Sequence, residues 1–262
     1  MTNRIDEKFR QLKREDRGGF IPFIVAGDPN LETTKGLLIE FSRLDVSVIE
    51  LGVPFSDPVA DGATIQRAAE RALKNSVNLA TILQTVADFR KTSETPLILF
   101  SYFNPILQFG LKKFASEAKD AGVDGILITD LIPEEAGEFR RILAEKDLHL
   151  IMLAAPTSSD ERLKKITKSA SGFVYAIARA GVTGAKTNLS EDAESLVERL
   201  RRFTDLPVAV GFGISNAEQI KEVLKYADAA VVGSAIVAEI ERLREKENIV
   251  EEIGNYVDKM LQ

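Results

Sequence analysis

The chain has 262 residues, of which 45% are hydrophobic, so it can bury one large core. Its 34 Lys and Arg residues and 40 Asp and Glu residues give a net charge of -6, which disfavours a general nucleic-acid binder or a protein held on anionic membranes. Because cysteine is absent, disulfides, thiol nucleophiles and thiolate metal sites are excluded, and a reducing compartment is expected.

No segment of the sequence has the pattern of an export signal or a membrane anchor. Residues 1–17 are charged throughout and lack the apolar core of a signal peptide. The longest apolar run, 229–238, is about half as long as a segment that spans a bilayer. We therefore expect a cytoplasmic protein with no membrane or nucleic-acid partner.

Short segments that are apolar on both faces alternate along the chain with amphipathic helical patterns. Strands are predicted at 20–25, 46–51, 96–101, 125–129, 148–154, 172–177, 207–211 and 229–232. Helices are predicted at 5–14, 31–44, 79–89, 111–121, 134–146, 159–169, 191–203, 217–226, 234–244 and 249–261. Eight such repeats close a (β/α)8 TIM barrel, here one domain over residues 1–262 with extra N-terminal and loop helices.

A doubly wound open sheet is the competing architecture for the same alternation. It would be favoured by a Gly-x-Gly-x-x-Gly motif that follows a strand and opens a helix. The nearest stretch, Gly211-Phe212-Gly213-Ile214-Ser215-Asn216, lacks the last glycine. The α/β class with a closed barrel is therefore the preferred interpretation.

One acid lies in the last residues of the second predicted strand and another follows that strand, at the end of the barrel where such enzymes place their active sites. Glu50 lies between Ile49 and Leu51, and partial burial would raise its pKa towards that of a working general acid or base. Asp61 comes after a proline-stiffened turn and can return to the same cavity. Glu50 could instead belong to a buried ion pair, and Asp61 could cap the helix that starts after it.

Glycines follow the seventh and eighth predicted strands, where barrel enzymes commonly bind phosphate. Gly211, Gly213 and Gly233 would let the backbone approach a ligand closely. The N–H groups at the start of the next helix, which begins at Ser234, would face the dianion. Each glycine could instead serve only a turn.

The connection at 178–188 is long and has no periodicity, which is typical of a mobile lid, although a passive linker is the alternative. It is not a nucleotide-binding P-loop, because Ala185 separates Gly184 from Lys186. Tyr175, in the strand before it, either fills the barrel or points its hydroxyl to a partner.

The remaining polar residues argue against a histidine-based site. His149 is the only histidine and starts a predicted strand, so a His triad and a multi-His metal site are excluded and a structural role is expected. Asp28, Asp57 and Asp130 also follow strands, and with the two acids after strand 2 they could hold Mg²⁺. Solvated loop acids are the alternative for Asp28 and Asp57, while Asp130 could cap or position a loop.

A set of motifs at the predicted strand ends extends over nearly the whole chain. These are Phe20-Ile21-Pro22-Phe23, Gly27-Asp28-Pro29, the run from Glu50 to Pro58 with Ala60-Asp61-Gly62, Asn104-Pro105, Asp130-Leu131 with Glu134-Glu135, Gly181-Val182-Thr183-Gly184, Gly211-Phe212-Gly213-Ile214 and Gly233-Ser234-Ala235. Together they resemble the tryptophan synthase alpha chain family. Ala63 and Thr129 depart from prolines usual in that family, and Ala178 from a common serine.

The resemblance implies a lyase that cleaves indole-3-glycerol phosphate to indole and glyceraldehyde 3-phosphate, without a metal or cofactor in this chain. Glu50 would be the main acid and base, and Asp61 would face the indole N–H. The other implied substrate-binding residues are Phe23, Ile65, Phe100, Tyr102 and Ile128 around the indole, Tyr175 and Thr183 near the substrate, and Gly184, Phe212, Gly213, Gly233 and Ser234 at the phosphate end.

The resemblance also implies a partner, a pyridoxal-phosphate beta chain in an α2β2 heterotetramer, which the 53–61 loop would contact. Three alternatives remain open at this point. They are a free-standing lyase that needs no beta chain, a weakly active module that mainly binds and activates a partner, and another sugar-phosphate barrel such as an isomerase or a Mg²⁺-dependent aldolase.

Overall fold

Within residues 3–177, 189–211 and 213–262, which the computed structural model describes, eight parallel strands hydrogen-bond in chain order and close a barrel. They are β1 (Gly19–Val25), β2 (Ile49–Gly52), β3 (Leu97–Ser101), β4 (Gly125–Ile128), β5 (His149–Ala154), β6 (Val174–Ile177), β7 (Val208–Gly211) and β8 (Ala229–Val232). Closure comes from β1, which pairs with β2 on one side and with β8 on the other. The predicted TIM barrel is confirmed.

Helices surround this barrel and follow the predicted pattern closely. They are α1 (Arg4–Arg14), α2 (Leu31–Arg43), α3 (Ala63–Lys74), α4 (Leu79–Arg90), α5 (Phe103–Phe109), α6 (Leu111–Ala121), α7 (Gly137–Ala144), α8 (Asp160–Ser169), α9 (Leu189–Arg201), α10 (Ala217–Val223), α11 (Ser234–Leu243) and α12 (Ile249–Leu261). Among the described residues, none of these helices combines the length and apolar character needed to cross a bilayer.

The largest error in the predicted helix starts is at α7, which was expected to begin at residue 134. The chain first makes a turn in which the Ile132 carbonyl accepts hydrogen bonds from the N–H groups of Glu135 and Ala136. The Glu134 carboxylate accepts a hydrogen bond from Arg162 of α8, at 2.6 Å. The acidic residues after Pro133 therefore stabilise a turn and an ion pair and do not form the first turn of the helix.

The core has two parts, one inside the barrel and one between the strands and the helices. Successive strand residues point to opposite faces, so each strand contributes to both parts. Phe23 and Phe173 belong to the inner cluster, which α1 joins through Phe9 and Leu12. Because the rings of Phe9 and Phe173 lie 5.6 Å apart, α1 closes the amino-terminal end of the barrel as an apolar plug.

Charged residues at the same end of the barrel are paired. The Asp124 carboxylate, with 3% of its side chain exposed, accepts hydrogen bonds from Arg90 at 2.7 Å and from Arg4 at 2.8 Å. It also accepts the Leu97 N–H at 2.8 Å, which ties the start of β3 to β4. His149 lies at this end too, with its Nε2 2.9 Å from the Asp6 carboxylate, as its predicted structural role requires.

We expect Arg90→Met to destabilise the fold by about 3 kcal/mol, because it removes one of the two cations that compensate the buried Asp124 charge. Urea denaturation followed by circular dichroism would measure the loss. Arg43→Met is the control, since Arg43 pairs with Glu40 while 70% of its side chain is exposed, and its effect should be below about 0.5 kcal/mol. Equal effects of the two substitutions would contradict this account of the barrel floor.

Candidate active site

Strand pairing brings the candidate residues of β1, β2 and β3 to one side of the barrel mouth. In the register of the sheet, Phe23 is opposite Glu50, and Gly52 is opposite Phe100. Phe23 and Phe100 belong to the inner cluster, and their rings meet edge to face at 5.3 Å. The Glu50 side chain is thus set beside an aromatic cluster at the carboxyl end of the barrel.

Within the described residues, Glu50 is a buried acid without a compensating charge. Only 1% of the residue is exposed, and no residue in the described ranges makes a hydrogen bond to either carboxylate oxygen. The ion-pair alternative raised from the sequence is therefore wrong for the described part of the chain. Burial raises the pKa of Glu50 to about 8, so the protonated form predominates at neutral pH and a proton is available for transfer.

Asp61 is held by a tyrosine from the next strand connection. Its Oδ2 accepts a hydrogen bond from the Tyr102 hydroxyl at 3.1 Å, while the same hydroxyl accepts the Ala60 N–H at 2.9 Å. Burial raises the pKa of Asp61 to about 6, and the Tyr102 hydrogen bond opposes that shift. The helix that follows is capped at Gly62 without a side-chain hydrogen bond, so the alternative in which Asp61 caps α3 is wrong.

A narrow apolar cavity lies next to these groups; Asp61 lines it and Glu50 does not. It is lined by five predicted site residues, Phe23, Asp61, Ile65, Phe100 and Tyr102, together with Val25, Gly52, Val53, Pro54, Phe55 and Ala69. Its volume is about 10 Å³, which is room for roughly one water molecule. The Phe55 ring lies 5.1 Å from the Tyr102 ring, and both residues line the cavity. An aromatic ring is larger than this volume, so it must displace lining side chains in order to bind.

Some lining residues could have been identified from the sequence and others could not. Val25 lies two residues after Phe23 on the same strand, so the two share a face and the strand period would have found it. Phe55 comes from the loop after β2, and Ala69 comes from the second turn of α3. Nothing in the local sequence indicates that they meet the same cavity.

Ile128 does not face the cavity, contrary to the expectation from the sequence. It belongs to the cluster between strands and helices, whereas its neighbour Leu127 belongs to the inner cluster. Leu127 is level with Phe100 in the sheet, so it is the β4 residue that faces the interior near the aromatic pair. Because β4 is apolar on both faces, it shows no alternation of polar and apolar residues from which its inner side could be assigned.

Tyr175 of β6 lies in the barrel interior and limits the size of the side chain that β7 can carry at position 211. A Cβ atom placed on Gly211 would lie 2.0 Å from the Tyr175 hydroxyl oxygen, so only glycine leaves room for that hydroxyl. Burial first, and then the charge of Glu50, raise the pKa of Tyr175 well above its ordinary value. The hydroxyl is therefore neutral and within the electrostatic reach of Glu50.

The predicted phosphate site lies at the ends of β7 and β8. Gly213 has a φ of +91°, a conformation that favours glycine, and Gly233 is the N-cap residue of α11. Ser234 starts that helix at an exposed position, and no acidic residue occupies its first turn. The N–H groups there can receive an anion. Thr183, Gly184 and Phe212, also predicted to bind substrate, lie outside the described residues, as does the 178–188 connection.

The described ranges contain no group of three or more His, Cys, Asp or Glu side chains arranged to hold a metal ion. Asp28 is buried, at 2% exposure, so the alternative that it is a solvated loop acid is wrong. Asp57 is exposed, and Asp130 accepts the Phe103 N–H at 2.8 Å at the start of α5. The acids that follow different strands therefore have separate positions and do not form the suggested Mg²⁺ site.

Together, the described groups suit acid-base chemistry on an apolar ring that carries an anionic tail. A protonated carboxyl and a second acid with a pKa near neutrality adjoin an aromatic cavity. A helix N-terminus at the ends of neighbouring strands is available for the anion.

Comparison with known protein families gives one consistent result. A family model described as tryptophan synthase alpha chain matches residues 9–262. A tryptophan synthase alpha chain from Geotalea daltonii is 46% identical, covering 93% of this chain and 92% of its own length. Another, from a Caulobacter species, is 48% identical, covering 96% of this chain and 92% of its own length.

Solved structures agree with the sequence comparison. Tryptophan synthase subunit alpha from Legionella pneumophila superimposes with a TM-score of 0.92 at 37% identity, covering 99% of this chain and 97% of that one. A structure of the tryptophan synthase α2β2 complex from Pyrococcus furiosus includes a chain with a TM-score of 0.85 at 40% identity, covering 93% of this chain and 98% of that one.

The pKa of Glu50 predicts a pH-dependent stability. The folded-state pKa of about 8 exceeds the ordinary value of 4.5, so the stability that the protonated carboxyl supports is complete below about pH 4.5 and is lost as pH rises to 8. Glutamine stays neutral over this range. We therefore expect Glu50→Gln to match the wild type near pH 4.5 and to exceed its free energy of unfolding by roughly 3 to 5 kcal/mol at pH 8.5.

Urea denaturation at both pH values would measure this difference. Asp57→Asn, at an exposed site in the loop that follows β2, is the control for replacing an acid by its amide, and its free energy of unfolding should stay within about 0.5 kcal/mol of the wild type. A Glu50→Gln difference that is the same at both pH values would contradict the burial of an ionisable, unpaired carboxyl.

Proposed function

This chain belongs to the tryptophan synthase alpha chain family, lyases that cleave indole-3-glycerol phosphate to indole and glyceraldehyde 3-phosphate in tryptophan biosynthesis, and we propose that Glu50 and Asp61 perform the cleavage. The observation that carries the assignment is Glu50, a fully buried carboxyl beside an aromatic cavity, with no hydrogen-bond partner among the described residues. A group kept in that state is suited to proton transfer.

The cleavage is a reverse aldol reaction, which needs one proton delivered and one removed. Protonated Glu50 donates its proton to the indole carbon that bears the glycerol chain, which turns the ring into a cationic indolenine. The resulting carboxylate then takes the proton of the adjacent glycerol hydroxyl. The carbon–carbon bond breaks, its electron pair returns to the ring, and the products are indole and an aldehyde. One residue with a pKa near 8 can serve both steps.

Asp61 supplies the charge that the cationic ring needs. With a pKa of about 6, it is largely ionised at neutral pH. A carboxylate facing the indole N–H stabilises the positive charge more in the transition state than in the neutral substrate, which lowers the barrier. Tyr102 supports this role because its hydrogen bond holds the carboxylate at the edge of the cavity.

The other site residues are proposed to bind the two ends of the substrate. Phe23, Ile65, Phe100 and Tyr102 contact the indole, with Leu127 in the place first given to Ile128. Tyr175 approaches the reacting carbons. Gly213, Gly233 and Ser234 bind the phosphate, and the expected roles of Gly184 and Phe212 at the phosphate and of Thr183 near the substrate stay predictions. The N-terminus of α11 favours the dianion through its free N–H groups and its dipole.

We also propose that residues 1–262 act as a single domain in the cytoplasm and need no cofactor for this half-reaction. Pyridoxal phosphate would belong to a beta-chain partner in an α2β2 complex, and the Pyrococcus furiosus structure named above is of a tryptophan synthase α2β2 complex. Support comes from three exposed apolar side chains after β2, β3 and β4, namely Val59 at 85%, Leu107 at 49% and Ile132 at 42% exposure. Consecutive strand connections place them on one rim, which a partner could cover.

We expect Glu50→Gln and Asp61→Asn each to lower kcat for indole release at least ~10²-fold, because one removes the proton carrier and the other the stabilising charge. Indole release from indole-3-glycerol phosphate by the purified chain is the measurement. Asp57→Asn should keep wild-type activity, and EDTA should have no effect. Inhibition by EDTA would favour the metal-dependent alternative, and full activity of Glu50→Gln would favour a module that only binds a partner.

Mixing the chain with a tryptophan synthase beta chain should give a complex and faster indole release. Val59→Asp should weaken that complex ~10-fold or more, because it places a charge in the apolar contact, while activity of the isolated chain stays unchanged. Size-exclusion chromatography and titration calorimetry would measure binding. No complex at micromolar concentrations, with full activity of the chain alone, would identify a free-standing lyase.

A further inference from the structure

A cluster of charged side chains joins α3 to α11 and to the end of β1. Arg71 of α3 donates two hydrogen bonds to the Asp28 carboxylate, at 2.7 and 2.9 Å, and a third to Glu241 of α11, at 2.7 Å. Arg67, one turn earlier on α3, donates to both oxygens of Glu241 at 2.8 and 2.7 Å. We call these four residues, Asp28, Arg67, Arg71 and Glu241, the Arg71 clamp.

The geometry and burial of the clamp distinguish it from a surface ion pair. The Asp28 side chain is 1% exposed, and those of Arg71 and Glu241 are 20% and 21% exposed. Arg71 meets Asp28 through two parallel bonds, the arrangement that fixes both distance and orientation. Burial raises the pKa of Asp28, and the hydrogen bonds and charge of Arg71 oppose that shift, so Arg71 favours the ionised carboxylate. Loss of Arg71 would leave a buried charge unpaired.

The clamp lies at a similar depth below two functional helix starts. Arg71 is six residues past Ile65, and Glu241 is seven past Ser234, so each is roughly 10 Å along its helix from a proposed substrate contact. Neither helix has a side-chain hydrogen bond at its N-cap. The positions of their first turns therefore depend on packing and on links such as the clamp.

The third element joined by the clamp also reaches the site. Asp28 follows β1, the strand that carries Phe23 on its inner face. A second contact supports the same link, because the Asn75 amide after α3 donates to the Pro29 carbonyl at 2.6 Å. The clamp thus joins three elements of the site. They are β1, which carries Phe23, the helix α3 after Asp61, and α11, whose N-terminus is proposed to bind phosphate.

We propose that Arg71 is a positioning residue that fixes the distance between the indole pocket and the phosphate-binding N-terminus of α11. This inference rests on the proposed function, since it requires a substrate that occupies both places at once. A ligand with both parts gains affinity when its two binding places are held at the right separation. A fragment that occupies only one place gains nothing from that separation.

The chain contains a matched pair that separates positioning from simple stability. Arg90 and Asp124 form a comparably buried pair, with side-chain exposures of 9% and 3%, but they lie at the amino-terminal end of the barrel. Arg71→Met and Arg90→Met both leave a buried carboxylate short of a partner. Both variants should be less stable than the wild type. Only Arg71→Met should change the distance between the indole pocket and the phosphate-binding N-terminus of α11.

The test compares binding of a whole ligand with binding of its two halves. The whole ligand is a non-cleavable analogue in which indole is joined to phosphate by an unsubstituted three-carbon chain, and the halves are indole and glyceraldehyde 3-phosphate. Calorimetry would give the Kd of each for the wild type, Arg71→Met and Arg90→Met. Steady-state kinetics would give KM and kcat for the cleavable substrate.

For Arg71→Met we expect the analogue to bind ~10-fold more weakly, KM to rise by a similar factor, and each half to bind within about twofold of the wild type. Arg90→Met should leave all three affinities unchanged. Glu241→Ala, which frees α11 but keeps the pair between Arg71 and Asp28, should show the same pattern and serves if Arg71→Met does not fold.

Three results would overturn the inference: an unchanged affinity for the analogue, an equal loss for the halves and the analogue, or an equal loss in Arg90→Met. A wild type that neither binds the analogue nor releases indole would contradict the proposed function and this inference together. A wild type that cleaves the substrate while Arg71→Met binds like Arg90→Met would contradict this inference alone.

Discussion

The burial of the Glu50 carboxyl without a partner among the described residues is the constraint on which the rest of the site depends. Successive side chains of a strand point to opposite faces, so the side of Glu50 is set by that of its neighbours on β2. Glu50 therefore shares the barrel interior with Phe23 and Phe100. In such surroundings the protonated acid is favoured, which moves its titration into the neutral range. The same burial that makes the carboxyl useful for proton transfer therefore makes it a cost to the folded state as pH rises.

The two ends of the barrel treat charge in opposite ways. At the amino-terminal end, Asp124 is surrounded by Arg90, Arg4 and a backbone donor, and α1 seals the interior with apolar side chains. At the carboxyl end, within the described residues, Glu50 lies unpaired and the Asp61 carboxylate accepts a hydrogen bond from the Tyr102 hydroxyl. Well-paired charges stabilise one end, and the other holds one acid protonated for proton transfer and a second acid largely ionised to stabilise positive charge. Barrel enzymes separate stability from activity in this way.

The small size of the aromatic cavity links substrate entry to the 53–61 loop. Phe55 of that loop packs on Tyr102, whose hydroxyl also holds Asp61 and the Ala60 N–H. An indole ring that enters must displace part of this arrangement, so binding and loop position are coupled. Val59, at 85% exposure, lies in the same loop. A partner that covers Val59 would therefore contact the loop that also positions Asp61.

Local sequence determined the strand and helix pattern, the motifs at the strand ends and the place of Glu50, because hydrophobic periodicity and turn chemistry act over a few residues. Tertiary structure decided the features that depend on closing the barrel and on contacts between residues that are distant in the sequence. It turned Leu127 inwards and Ile128 outwards, joined Tyr102 to Asp61 across 41 positions, and buried Asp28 against Arg71 across 43. When a strand is apolar on both faces, its sequence does not indicate which residues face the barrel interior. The partner of a buried charge is chosen only when distant segments pack together, and the sequence does not state which segments those are.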